Sequence, residues 1–218
     1  MKLKSLFVAC MMSVHAQGHA ALTSNLNEIA NPQIIDFEDF DGLITSGPEP
    51  VAPGVDFTGT QDSVLGAFIA DLGSNGLWGA GNHFAATDGV GTLHFTFVNG
   101  LTSAGGVLLN SHNGSPISVS VFGDNLQILE SHIVDIDTPE DSLNAGIFFG
   151  ITRPTADIRS IAFAGPGLVA DDLTFATPVP EPGTYVMLLA GLCLIVVTAR
   201  RRRNSKLRPE WRHLARLS

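Results

Sequence analysis

Upstream of Gly183 no stretch with helical spacing of apolar residues reaches 12 residues, so the chain before that point has to build its core from strands. The clearest strand is "VGTLHFTFV", where Leu93, Phe95 and Phe97 alternate with Thr92, His94 and Thr96. "PISVSVF" sets Ile117, Val119 and Val121 against Ser118 and Ser120, "RSIAFAG" puts Ile161 and Phe163 on one face, and "DDLTF" does the same with Leu173 and Phe175. A period of two marks a half-buried strand, because successive side chains leave opposite faces. Turn residues recur between these runs as "DG", "NG", "SPI", "GDN" and "RPT". The pattern predicts an all-β fold, an antiparallel β-sandwich or jelly roll. A segment of roughly 145 residues buries an adequate core without covalent staples.

Charge narrows what such a domain can touch. The chain carries 12 basic and 21 acidic residues. Between positions 21 and 180 there are nineteen acids against two arginines, Arg153 and Arg159, a net of −17. That surface repels nucleic acid and anionic lipid, so no nucleic-acid partner is expected. The two cysteines, Cys10 and Cys193, lie in the terminal apolar runs. The body between them therefore holds neither a disulfide nor a thiolate site.

Both ends read as addresses. The start, "MKLKSLFVACMMSVHAQGHAALTS", has a basic opening in Lys2 and Lys4, an apolar run from Leu6 to Val14, and small residues at Val14-His15-Ala16 and Gly18-His19-Ala20. This is the pattern of a secretory signal peptide, assigned to residues 1–20. The other end, "VPEPGTYVMLLAGLCLIVVTARRRR", sets Pro180, Glu181 and Pro182 before an apolar run and closes it with Arg200, Arg201, Arg202 and Arg203. Fifteen apolar residues, Tyr185 to Ala199, rise only about 22 Å as a helix, short of a hydrocarbon core about 30 Å thick. The arginines stop the segment and orient it, with the acidic body outside. The two prolines keep the chain extended ahead of the helix, within reach of a processing enzyme.

The order and spacing of these parts resemble the PEP-CTERM sorting signal. The resemblance implies export from a Gram-negative bacterium that makes exopolysaccharide, transient lodging in the inner membrane, and recognition and cleavage by an exosortase near Pro180-Glu181-Pro182. It implies a final place at the cell surface or in the matrix, as in a biofilm, with exopolysaccharide or matrix proteins as partners. The expected organisation is a signal peptide (1–20), a β-sandwich (21–176), a sorting signal (177–203) with a transmembrane helix at 184–199, and a basic cytoplasmic tail (204–218). Two readings stay open for that tail: a short basic amphipathic helix on the inner leaflet, or a segment without function. Pro48-Glu49-Pro50 has neither an apolar run nor arginines after it and reads as a surface loop.

The body itself opens with "IIDFEDFDGL" and closes with "GLVADDLTFA". This pairing is similar to that of galactose-binding-like jelly-roll carbohydrate-binding modules. In those modules the first and last strands lie side by side and share a structural calcium. The resemblance implies Glu38, Asp171 and Asp172 as calcium ligands. The physics agrees with oxygen donors, since Ca²⁺ takes six to eight of them. Asp171 and Asp172 should leave opposite faces of one strand, which leaves room for only one as a ligand. The alternative is solvated acids on edge strands. Such modules stack sugars on exposed aromatics. The body's one tryptophan, Trp78 in the glycine-rich "NGLWGAGNHF", is the candidate glycan contact, and the simpler reading is a loop tryptophan folded onto the core.

Catalysis finds little footing. His83, His94, His112 and His132 share no metal-ligand spacing. His94, on the polar side of its strand, reads as solvent-facing. Ser111, His112 and Ser115 in "NSHNGS" lack the elbow of a hydrolase, and Asp135 and Asp137 read as a solvated face. The expectation is a non-catalytic binding or structural domain. The alternatives are a calcium-stabilised carbohydrate-binding module and a secreted hydrolase.

Overall fold

The computed structural model describes residues 20–177, 188–196 and 198. Residues 1–19 of the expected signal peptide, Pro180 to Pro182, Arg200 to Arg203 and the tail 204–218 lie outside the described residues. The chain divides into two compact units, Met1–Pro178 and Val179–Ser218. In the second, residues 188–196 form a helix inside the expected span 184–199. No helix among the described residues is long and apolar enough to cross a membrane.

The described residues of the first unit form strands, apart from three single 3-10 turns. In chain order the strands are β1 (Ala21–Thr23), β2 (Pro32–Ile35), β3 (Leu43–Ile44), β4 (Glu49–Ala52), β5 (Val55–Gly59), β6 (Val64–Asp71), β7 (Leu77–Ala86), β8 (Val90–Phe97), β9 (Ala104–Ser111), β10 (Ile117–Phe122), β11 (Ile128–Val134), β12 (Ile147–Thr152), β13 (Ser160–Pro166) and β14 (Leu168–Ala176). They form two antiparallel sheets. One runs β1-β12-β9-β14-β7-β6-β3, with β2 paired to β14, and the other runs β11-β10-β13-β8-β5-β4. The expected all-β sandwich is the fold. Pro48-Glu49-Pro50 is not a plain loop, because Glu49 and Pro50 start β4, the edge strand against β5.

The alternating residues fill the space between the sheets. Leu93, Phe95 and Phe97 of β8, Ile117, Val119 and Val121 of β10, and Ile161 and Phe163 of β13 all join the main core. Register makes them meet: Val119 lies opposite Phe163, and Phe163 opposite Leu93. Phe95 is central, with ring centroids 5.5 Å from Phe57, 5.8 Å from Phe37 and 6.5 Å from Phe163. Tilted and edge-on aromatic pairs at such distances add to what burial alone contributes.

A second apolar cluster gathers Leu72, Trp78, Phe84, Ala86 and Val169. Phe84 and Ala86 flank Ala85, which belongs to the main core, so this cluster occupies the outer face of the eight-stranded sheet. The segment 142–146 closes over it. The Leu77 N–H donates to the Ser142 carbonyl at 3.0 Å, and the Asn144 N–H donates to the Leu77 carbonyl at 2.9 Å. Gly146 lets the segment sit that close, since a Cβ there would come within 2.8 Å of the Trp78 ring. Buried Asn75 fixes the approach by donating to the Ile136 carbonyl (2.9 Å) and to Asn110 Oδ1 (2.8 Å). Asn110 in turn donates to the Ala145 carbonyl at 2.7 Å.

Candidate functional site

Strand β14 changes neighbour along its length. One side pairs with β9 from Leu168 to Asp171 and again at Thr174 and Phe175. The other side pairs with β7 at Val169 and Ala170, then with β2 from Leu173 to Ala176. Asp171 and Asp172 fall at the changeover. Asp171 lies opposite Leu108 and Thr174 opposite Gly106, so three steps on β14 match two on β9. Asp172 takes up the extra residue with φ 50°, left-handed backbone that Asp tolerates better than most residues. The strict alternation expected of the Asp-Asp pair is broken by this bulge.

Past the end of β2, Phe37 is buried against Phe95, and its neighbours Asp36 and Glu38 are held at the same junction. Two consecutive residues of β7 tie the carboxylates down. Asn82 Nδ2 donates to Asp171 Oδ2 at 2.6 Å, and the His83 N–H donates to Glu38 Oε1 at 2.8 Å. The Asp172 N–H donates to Asp171 Oδ1 at 2.7 Å. Asp171 is only 3% exposed. Burial pushes its carboxyl up to about 6, and the charges of Asp172 and Glu38 add to the rise, while the hydrogen bonds from Asn82 and Asp172 oppose it. Burial, and then the charge of Asp36, also raises Asp172. The structure thus brings Glu38, Asp171 and Asp172 into one electrostatic neighbourhood, with Asp36 as a fourth member.

Calcium suits this donor set in chemistry. Every charged donor is a hard oxygen, and Arg153 and Arg159, the two arginines of the body, are bound elsewhere. The spacing is less favourable. Among the described residues no three His, Cys, Asp or Glu side chains group as a metal-binding set, and both oxygens of Asp171 already accept hydrogen bonds.

Trp78 is placed otherwise than a glycan contact requires. It belongs to β7 rather than to a loop and is 0% exposed. Its ring packs edge-on against Phe84 at 6.2 Å, so neither face is open to a sugar. His94 also departs from expectation. It is half-buried, 5.5 Å from the Phe122 ring, and burial lowers its pKa. Ser111 is fully buried, and its hydroxyl donates to the Ser115 carbonyl at 2.8 Å, which removes it as a nucleophile.

One concavity had no signature in the sequence. A groove of about 540 Å³ opens on the outer face of the eight-stranded sheet, beside the Trp78 cluster. Ala67, Ala86 and Val169 line it, with the β7–β8 turn (Asp88, Gly89) and the β13–β14 turn (Pro166, Gly167) around it. The lining is scattered over six elements, so no motif announces it.

No curated protein matches the chain. Among solved structures it is similar to CsCBM6-3 from Clostridium stercorarium, determined in complex with cellobiose. The identity is 16%, the match covers 67% of this chain and 94% of that one, and the TM-score is 0.32. A family model described as the PEP-CTERM protein-sorting motif matches residues 178–203. Those residues include the Pro-Glu-Pro triplet, the apolar run and the four arginines. The chain therefore carries a PEP-CTERM sorting motif, the recognition signal of an exosortase, and is an exported protein processed at the membrane.

Proposed function

We propose that the acidic β-sandwich is a non-catalytic binding or structural module, freed by exosortase cleavage near Pro180-Glu181-Pro182 to work at the cell surface or in an exopolysaccharide matrix. The sorting motif carries this reading. A signal peptide over residues 1–20 starts the route, and the arginine cluster holds the tail inside until the cut is made. The net charge of the body keeps the product off anionic lipid once it is released. Replacing Glu181 with Ala is expected to leave an uncleaved, membrane-held form, seen by immunoblot of membrane and medium fractions. Identical processing of variant and parent would sink the reading.

A second reading, favoured by carboxylates at the β14 bulge that neither Arg153 nor Arg159 reaches, is that calcium stabilises the module through Glu38, Asp171 and Asp172. The ion would supply the positive charge that four neighbouring acids lack. A ligand at about 100 times its dissociation constant stabilises a fold by about 2.7 kcal/mol. For a domain of this size the melting midpoint then rises by roughly 5–10 °C. The full chain melted in a neutral detergent with calcium and with chelator should show that rise, and Glu38→Ala should abolish it. Coincident melts would remove calcium and leave the sorting proposal untouched.

A further inference from the structure

The outer-face groove combines an aliphatic floor with an acidic rim. Ala67, Ala86 and Val169 form a low surface, and Ile69 and Val90 stand at its edges, 72% and 82% exposed. Asp71 and Asp88 supply two exposed carboxylates, and no Lys or Arg lines the groove. One oxygen of Asp71 accepts from the Gly73 N–H at 2.9 Å, which leaves the other for a ligand. His112 adds a polar ring whose Nδ1 lies 3.3 Å from the Asp71 carbonyl oxygen. The body has no spare cation to neutralise this rim. Arg153 is engaged by Asp157 and Glu130, and Arg159 by Asp124 and the carbonyls of Phe97 and Gly100. The floor strands β7 and β14 have neighbours on both sides, so the floor offers no free backbone row to an extended peptide. Recognition there has to come from side-chain charge and from contact with C–H groups. A volume of about 540 Å³ is ample for a small ligand or one or two ring units.

We propose that this groove binds a protonated amine carried on a C–H-rich body, with ammonium groups on Asp71 or Asp88 and the body on the aliphatic floor. The inference rests on reading the sandwich as a binding module. Two sources share the chemistry: amino-sugar units of a polysaccharide, and free aliphatic polyamines.

The test is calorimetric titration of the full chain in a neutral detergent at low salt, with glucosamine trimer, N-acetylglucosamine trimer and spermidine as probes. The glucosamine trimer should bind at least tenfold more tightly than its acetylated counterpart, because acetylation removes the charge. Asp71→Asn with Asp88→Asn should weaken binding at least tenfold at an unchanged melting temperature, since the amide at 71 still accepts from Gly73. Val90→Lys, which brings a cation to an exposed rim position, should have the same effect. Spermidine binding as tightly as the sugar, with the same sensitivity to the variants, supports the proposal and points to polyamines. Equal binding of both sugars, binding that ignores the variants, or no binding of any probe overturns it. Processing at Glu181 is scored separately, so an empty groove would not be mistaken for failed sorting.

Discussion

Trp78→Ala is expected to cost about 3–5 kcal/mol, the range for deleting a large buried aromatic. That is a large share of the roughly 5–15 kcal/mol that holds a domain together. The expected readout is a melting midpoint lower by roughly 10 °C in the full chain in detergent. The size follows from the surroundings. The ring has no exposure, packs on Phe84, and lies under Gly146 and the segment that the Asn110 amide pins at Ala145. Removing it leaves a cavity roofed by a loop that has lost its support. Trp78→Phe should cost far less. The indole Nε1 has no hydrogen-bond partner, so phenylalanine fills most of the volume while removing a buried donor left unsatisfied. If Trp78→Ala lost under about 1 kcal/mol, the ring would not be the filler of the outer cluster, and a ligand-facing role would return.

The second large effect is on pH. The carboxyl of Asp171 is raised to about 6 in the folded state from 3.8. Folding therefore favours its protonated form. Its stabilising contribution is complete below about pH 4, declines as pH rises toward 6, and is gone above it. A shift of about two units is worth at most about 3 kcal/mol. Asp172 is raised as well and acts in the same direction. In chelator, the full chain should be more stable at pH 5 than at pH 7.5. General repulsion among the body's acids contributes to that trend, so the comparison that isolates the site is Asp171→Asn. This variant should flatten the profile and exceed the parent in stability at pH 7.5. Asn82 can turn its amide over and accept from the new NH₂, which keeps the pair bonded. Parallel pH profiles for parent and variant would show that Asp171 titrates normally.

The parts of the fold that were legible were those with one buried face. Leu93, Phe95 and Phe97 alternate with polar residues because β8 has the core on one side only, and β10 and β13 read the same way. Strand β7 was hidden for the opposite reason. Phe84 and Ala86 feed the outer cluster while Ala85 feeds the core, so apolar residues run consecutively. Gly79 and Gly81, at φ 150° and 89°, suggest a loop by composition yet sit inside the strand. Family resemblance named Glu38 and Asp171 together, and the structure hangs each on one of two adjacent residues of β7. The part played by Asn82 and His83 was not, since nothing in "GNHF" signals which strand will lie beside β14. The positive φ at Asp172 depends on β14 exchanging β7 for β2, a fact of tertiary pairing that local sequence does not encode. The groove was invisible because alanines at 67 and 86 mark an absence of bulk rather than a chemistry.

The position of β14 also sets a clock. It is the last strand of the body in the chain, yet it lies inside its sheet, bonded to β9 on one side and to β7 and β2 on the other. A chain exported from its N-terminus delivers β2, β7 and β9 well before the strand that joins them. Pairings this distant in sequence form late and slowly. The final residue of β14, Ala176, lies two positions before the sorting motif begins. On the N-terminus-first route proposed above, the sheet would close only after β14 has emerged, when the sorting motif that follows it is about to arrive. On that route, completion of the fold and presentation of the motif to its processing enzyme would be nearly simultaneous events, timed by the arrival of one nine-residue strand.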